Sequence, residues 1–146
     1  MTEHHNFSFF GMNEALIILT HSYDDKVHFN FIRKKDDNNW EKLDEGLHIE
    51  LNLKELSKIL DFLEHDEKTL VIIHQHPDSK KVKEFKFEKS KNKKLKQRIL
   101  FISGTILNIP TYRPYKRELI NEDIRIFTKI LDHLETEKII NQKINK

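Results

Sequence analysis

Two stretches of this chain place apolar residues at helical spacing, and most of the remaining apolar positions alternate at the period of strands. Leu53, Leu56, Ile59, Leu60 and Leu63 make one helical stripe, and Ile124, Phe127, Ile130, Leu131 and Leu134 make the other. Each predicts an amphipathic helix with one face to bury. The two also share a heptapeptide. Residues 58–64 read Lys-Ile-Leu-Asp-Phe-Leu-Glu, and residues 129–135 differ only in carrying His133 in place of Phe62.

The segments ahead of the two helices correspond as well. Phe7 to Phe10 reads as a short arm or an edge strand, and Ala15 to Thr20 as an apolar strand buried on both faces. A polar turn, Tyr23-Asp24-Asp25-Lys26, leads to Val27–Arg33, where Val27, Phe29 and Phe31 alternate with His28 and Asn30. Asp36 to Asn39 predicts a turn, Trp40 to Leu43 a short third strand, Gly46 a break, and Leu47 to Leu53 a fourth strand running into the helix. The second half repeats this order. Leu70 to His74 matches Leu16 to Thr20, Pro77-Asp78-Ser79 is a turn, and Lys83 to Lys89 brings Phe85 and Phe87. Ser90 to Lys94 is polar, Leu95 to Ser103 is a strand, Gly104 parallels Gly46, and Thr105 to Pro110 is the last strand.

The predicted organisation is therefore an N-terminal arm over 1–14, a first unit over 15–68, a second over 69–141 with an insert at 111–123, and a tail over 142–146. The predicted fold class is α+β, two tandem ββββα repeats with antiparallel sheets and two amphipathic helices packed in one domain. Doubling has a physical reason, because one helix covers only part of the apolar face of a four-stranded sheet. Phe29, Phe31, Phe85 and Phe87 are expected in the core and Trp40 in partial core packing. His28, Asn30, His48, Lys86, Lys96 and Arg98 are expected on wet outer faces by alternation.

Composition narrows the classes. The 146 residues contain no cysteine, which excludes a disulfide framework and a thiolate metal site. No apolar run approaches a membrane span, and Met-Thr-Glu-His-His lacks the form of a signal peptide, so an intracellular, cytoplasmic protein without a membrane partner is expected. Three isolated glycines make no phosphate loop, and no serine or threonine sits in a nucleophile elbow. No catalytic residue and no cofactor are expected, and the chain reads as a non-enzyme.

Charge changes the picture most. The net charge of +2 conceals thirteen Lys/Arg against Glu84 and Glu88 within residues 80–117, so the rest of the chain is acidic. Such a split aims one basic surface at a polyanion. The insert adds Thr111-Tyr112-Arg113-Pro114-Tyr115-Lys116-Arg117, aromatic rings beside cations in a loop that Pro110 and Pro114 hold extended. Bases stack on such rings while cations track phosphates. The expected binding residues are Lys83, Lys86, Lys94, Lys96 and Arg98 on the strands, with Tyr112, Arg113, Tyr115, Lys116 and Arg117 on the insert.

The doubled strand-strand-strand-strand-helix plan over roughly residues 15–140, with an acidic and aromatic helix start at Asn121-Glu122-Asp123-Ile124-Arg125-Ile126-Phe127, resembles the Whirly and PUR-repeat proteins. The lysine-glycine-lysine-alanine run of plant Whirly proteins is absent. The resemblance implies the fold and a ligand class, single-stranded DNA or RNA bound with little sequence preference, and a homo-oligomer of two or more copies.

Two rival readings use the same residues. A protein-interaction module would self-assemble by docking the acidic first repeat of one copy on the basic second repeat of a neighbour, would dock on an acidic partner, or would pair exposed strand edges. A small metal-dependent enzyme would use His74 and His76, which an i, i+2 spacing puts on one side of a strand. His74-Gln75-His76-Pro77 is similar to the start of the JAMM-type zinc protease motif, but Glu84 and Phe87 stand where that motif has Ser and Asp. No metal set is assigned, and the pair reads as polar strand-end residues within reach of a phosphate.

Overall fold

The computed structural model describes residues 5–21, 24–75 and 80–144. Within them the chain writes four antiparallel strands and a helix, twice. The first sheet runs β1 (Asn6–Phe10), β2 (Glu14–Thr20), β3 (Val27–Arg33) and β4 (Leu47–Leu51), side by side in chain order, followed by α1 (Leu53–Glu64). The second runs β5 (Thr69–Gln75), β6 (Val82–Asn92), β7 (Gln97–Ile106) and β8 (Tyr115–Ile120), followed by α2 (Glu122–Ile144). This is the α+β, doubled ββββα plan that the residue pattern predicts.

The strands are not all where the pattern placed them. The segment read as a short arm or an edge strand is the edge strand β1, whose Phe7 and Phe9 pack on the core, so the first sheet begins at Asn6 and not at Ala15. No strand forms over Trp40–Leu43, where Trp40 makes a single bridge to Lys34. In the second half, the two strands expected on either side of Gly104 are one strand, β7. The expected insert contains β8, with Tyr115 and Leu119 buried between exposed Lys116 and Glu118. The repeats therefore align β1 with β5 and β2 with β6, one strand away from the match of Leu16–Thr20 to Leu70–His74. That match failed because central and edge strands here carry similar apolar runs. The turn at Pro77-Asp78-Ser79 lies outside the described residues, as does Tyr23 of the first turn.

The inner faces of the two sheets meet across one core. Phe29 and Phe31 of β3 lie 5.1 and 5.8 Å, centroid to centroid, from Phe85 of β6, which in turn meets Phe87. All four are buried, as alternation requires. Gly104 permits the approach, since a Cβ there would sit 2.7 Å from Leu47 Cδ2 and 2.8 Å from Phe31 Cε2. Gly46 lies against β3 itself, where a Cβ would meet the Phe31 carbonyl oxygen at 1.9 Å.

Each helix is anchored by polar contacts as well as by its stripe. Asn52 caps α1, its Oδ1 accepting from Glu55 N at 2.9 Å while Glu55 Oε1 accepts from Asn52 N at 3.2 Å, a capping box. At the other end Lys89 Nζ donates to the carbonyls of Phe62 and His65, satisfying acceptors that the helix leaves open. Leu56, Ile59, Leu60 and Phe62 of α1, and Phe127, Leu131 and Leu134 of α2, are buried. At the one position where the heptapeptides differ, Phe62 fills the core and His133 stands exposed beside Glu137. The buried Lys138 of α2 donates to the carbonyls of His21 and Asp24, fastening the helix to the connection between β2 and β3.

On the outer face of the first sheet, β2 is buried on both faces as expected, and the departure lies in β3. Ala15, Ile17, Leu19 and Ile32 form a second apolar cluster there, with Trp40 packed on it and Phe10 edge-on to Trp40 at 5.2 Å. His28 and Asn30, expected to face water, are only 6% and 5% exposed. They sit opposite Leu19 and Ile17 in the β2–β3 register, and His28 is held by hydrogen bonds to Asp24 and His48.

Candidate nucleic-acid interface

The second sheet has a different outer face. Side chains of alternating strand residues make cross-strand rows: Val71, Lys86, Ser103 and Lys116 form one, and Thr69, Glu88, Phe101 and Glu118 the next. Lys86 pairs with Glu88 at 2.8 Å, and this partner holds its ammonium above the ordinary lysine range. Lys116 Nζ lies 4.4 Å over the ring of half-buried Phe101. The face is thus a platform that is polar across its central rows, with exposed Val71 and Ile73 on β5 and Ile120 on β8, and it carries one aromatic ring beneath a cation.

From this platform β6 and β7 run on together. They stay paired out to Asn92↔Gln97, whereas β5 stops at Thr69↔Glu88 and β8 at Ile99↔Ile120. Residues 91–98 therefore project beyond both neighbours as a two-stranded finger. Lys91, Lys93, Lys94, Lys96 and Arg98 are exposed on it, and no acidic residue occurs anywhere from 89 to 117. The tip turns at Lys96, whose φ of 52° is left-handed, while Leu95 N donates to Asn92 Oδ1 at 3.3 Å. The base of the finger is tied to α2, since Arg98 N donates to Asn121 Oδ1 and Asn121 N to the Arg98 carbonyl.

Of the ten residues expected from sequence, Lys86, Lys94, Lys96, Arg98 and Lys116 lie on the platform or the finger, and Arg113 is exposed in the loop before β8. The others do different work. Tyr115 is 4% exposed, so it cannot stack on a base. Its hydroxyl donates to Glu41 Oε1 at 2.8 Å, and the Arg33 guanidinium lies 3.7 Å over its ring. Burial and the Glu41 hydrogen bond push this phenol well above the usual range. Tyr112 is half-buried against the core, and burial likewise raises its phenol. Arg117 donates from Nε to the Phe9 carbonyl and from Nη2 to that of Phe10, both at 3.2 Å, joining β8 to β1. Lys83 points to the inner side of β6, where its Nζ donates to the His48 carbonyl at 2.6 Å and burial holds its ammonium low. Residue type alone does not place these side chains: strand parity turns Tyr115 and Arg117 inward on β8 and Lys83 inward on β6, and Tyr112 packs on the core from the loop before β8. Sequence reading also missed Phe101, although the alternation of Leu100 and Ile102 with Phe101 and Ser103 signals the outward position.

A cleft of about 470 Å³ opens between the edge strands β4 and β5, lined by His48, Glu50, Ile73, His74, Lys81 and Lys83 among others. His74 Nε2 shares a short hydrogen bond with Glu55 Oε2, so this histidine braces α1 against β5. His76 lies outside the described residues. Burial, with His28 and Lys83 nearby, holds the His48 imidazole below its ordinary range.

No protein-family model and no curated protein matches the chain. Solved structures do. The plant transcriptional regulator PBF-2 superposes with a TM-score of 0.69 at 9% identity, covering 97% of this chain and 86% of that one. WHY1 from Arabidopsis thaliana gives 0.69 at 10% identity, covering 94% and 92%. A guide-RNA-binding protein complex bound to a gRNA gives 0.64 at 13% identity, covering 88% and 87%. The chain has a Whirly/PUR-like fold.

Proposed function

We propose that the protein binds single-stranded DNA or RNA with little sequence preference, on the second repeat. The observation that carries this reading is the acid-free stretch 89–117, folded into a projecting cationic finger beside the Lys86–Ser103–Lys116 row. The guide-RNA complex of similar fold supports it. Phosphates would follow the finger and the platform, with counterion release providing affinity. Phe101 offers a base one ring to stack on, worth about 1–3 kcal/mol. No reaction is assigned to this surface.

The test is fluorescence anisotropy with labelled single-stranded DNA, single-stranded RNA and duplex DNA across a salt series. Single-strand binding that weakens steeply with salt, with weaker duplex binding, is expected. In Lys94→Gln/Lys96→Gln/Arg98→Gln the log–log salt slope should fall by about 0.7 per cation removed, roughly 2 in all. An unchanged slope and affinity would place the ligand elsewhere.

A homo-oligomer is the second reading. Val71 and Ile73 are 43% and 56% exposed on β5, an edge strand of the second sheet. Sedimentation of wild type against Ile73→Lys tests it: a mass that falls in the variant supports pairing of copies along β5, and an unchanged mass opposes it.

A further inference from the structure

We propose that His28, His48 and Glu50 form a binding site for a divalent first-row transition metal of the zinc class. The β3–β4 register creates it. His28 pairs directly with Glu50, and His48 precedes Glu50 by two residues on the same face of β4. His28 Nδ1 and His48 Nε2 are 2.8 Å apart, and one ligand atom from each of the three residues lies within 4.8 Å of the others.

The arrangement has the parts of a metal centre beyond its ligands. Asp24 Oδ2 stands 3.0 Å from His28 Nε2, so the imidazole carries its proton on Nε2 and turns the Nδ1 lone pair toward His48. A carboxylate that fixes the tautomer of a ligating histidine in this way is a recurrent support of metal sites. Without an ion, His48 donates its Nε2 proton to His28 Nδ1. With an ion, both nitrogens present lone pairs to it, and the His48 proton moves to Nδ1.

Geometry and charge both admit the ion. Ligands about 2.0–2.2 Å from a tetrahedral zinc lie roughly 3.3 Å from one another. The histidine nitrogens need therefore separate by only about half an ångström, and rotation of the exposed Glu50 side chain closes the third contact. Asp24 and Glu50 offset the ammoniums of Lys83 and Lys138, which donate to the carbonyls of His48, His21 and Asp24. Two imidazoles and one carboxylate select zinc, cobalt or nickel over magnesium or calcium, which prefer all-oxygen sets. His48 and Glu50 also line the 470 Å³ cleft beside β5, which leaves room for water at a fourth position. Among the described residues one other cluster, His5, His133 and Glu137, has comparable spacing, and it serves as the internal control.

The experiment is calorimetric titration of the chelator-stripped, untagged full chain with Zn(II), together with the visible spectrum of the Co(II) form. One saturable equivalent of Zn(II) and tetrahedral Co(II) bands are expected. His48→Gln and Glu50→Gln should each abolish the tight equivalent. Asp24→Asn, which keeps all three ligands, should weaken it by about 10–100-fold. His133→Ala should titrate like wild type. Because Glu50 is exposed, Glu50→Gln should melt at the wild-type temperature without metal, and Zn(II) should raise the melting temperature of wild type only. Absence of saturable uptake, wild-type uptake by Glu50→Gln, or loss of uptake in His133→Ala would each overturn the proposal.

Discussion

The two sheets share one core but keep opposite outer faces. On the first, Ala15, Ile17, Leu19 and Ile32 are buried beneath Trp40, and even His28 and Asn30 are enclosed. On the second, the equivalent surface carries Lys86, Glu88, Ser103 and Lys116 with Phe101 alone as an aromatic. Duplication gave the chain two sheets, of which one core needs only the inner faces. The first repeat closed its spare face with apolar side chains and the connection between β3 and β4. The second left its spare face wet and extended it into a cationic finger. The charge split along the sequence follows this difference between the two outer faces.

A carboxylate placed at an outward position on a central strand of each sheet should bring out the difference most visibly. Ile17→Asp buries a charge in an apolar cluster without a partner, and a loss of at least about 3 kcal/mol is expected in urea unfolding. Ser103→Asp lies between Lys86 and Lys116 and should change stability by no more than about 0.5 kcal/mol. Its effect should appear in nucleic-acid affinity instead. Equal destabilisation by the two would mean that both outer faces are closed. Trp40→Ala should cost about 2 kcal/mol, less than the 3–5 typical of a fully buried aromatic, because Trp40 is only half-buried. Nucleic-acid affinity should not change in that variant.

The pattern of residues made the architecture legible and misplaced some of its parts for identifiable reasons. Helical stripes and strand alternation depend on local periodicity, and both helices and the Phe29, Phe31, Phe85 and Phe87 core followed from them. Gly104 reads as a break in the chain, but its missing Cβ serves the approach of Leu47 and Phe31 from the other sheet, a tertiary fact. Tyr115 and Arg117 sit in a motif rich in rings and cations, yet they share strand parity and point inward. Tyr115 reaches Glu41, and Arg117 reaches the Phe9 and Phe10 carbonyls. The pairing of His28 with Glu50 depends on register across β3 and β4, which no single stretch displays, whereas Asp24 and His28 stand only four residues apart.

Tyr115 gives a test in which chemistry and stability move together. Its phenol is buried and donates to Glu41, so Tyr115→Phe should cost about 1.5–3 kcal/mol, the range for a hydrogen bond to a charged group. The fold raises its pKa above the unfolded value of about 10. The folded state therefore retains the proton that the unfolded state gives up. This contribution is fully present below about pH 10 and is lost as pH rises toward the folded pKa. Unfolding measured between neutral and strongly alkaline pH should show a steeper loss for wild type than for Tyr115→Phe. Parallel profiles would mean that Tyr115 ionises as readily in the fold as out of it.

The smallest effect on stability should be the most informative about the second face. Lys116 lies outward on β8 over Phe101, and replacing its charge removes no buried hydrogen bond. Lys116→Gln should therefore unfold within about 0.5 kcal/mol of wild type. If single strands run across the Lys86–Ser103–Lys116 row, the same substitution should lower the salt slope of binding by about 0.7, the share of one phosphate contact. Phe101→Ala in the same background should weaken binding without altering that slope, since stacking releases no counterion. A lysine that changes the slope beside a phenylalanine that changes only the intercept would separate phosphate tracking from base stacking on one row of the sheet. If neither parameter moves, the strand follows the finger alone, and the open face of the second sheet belongs to another partner.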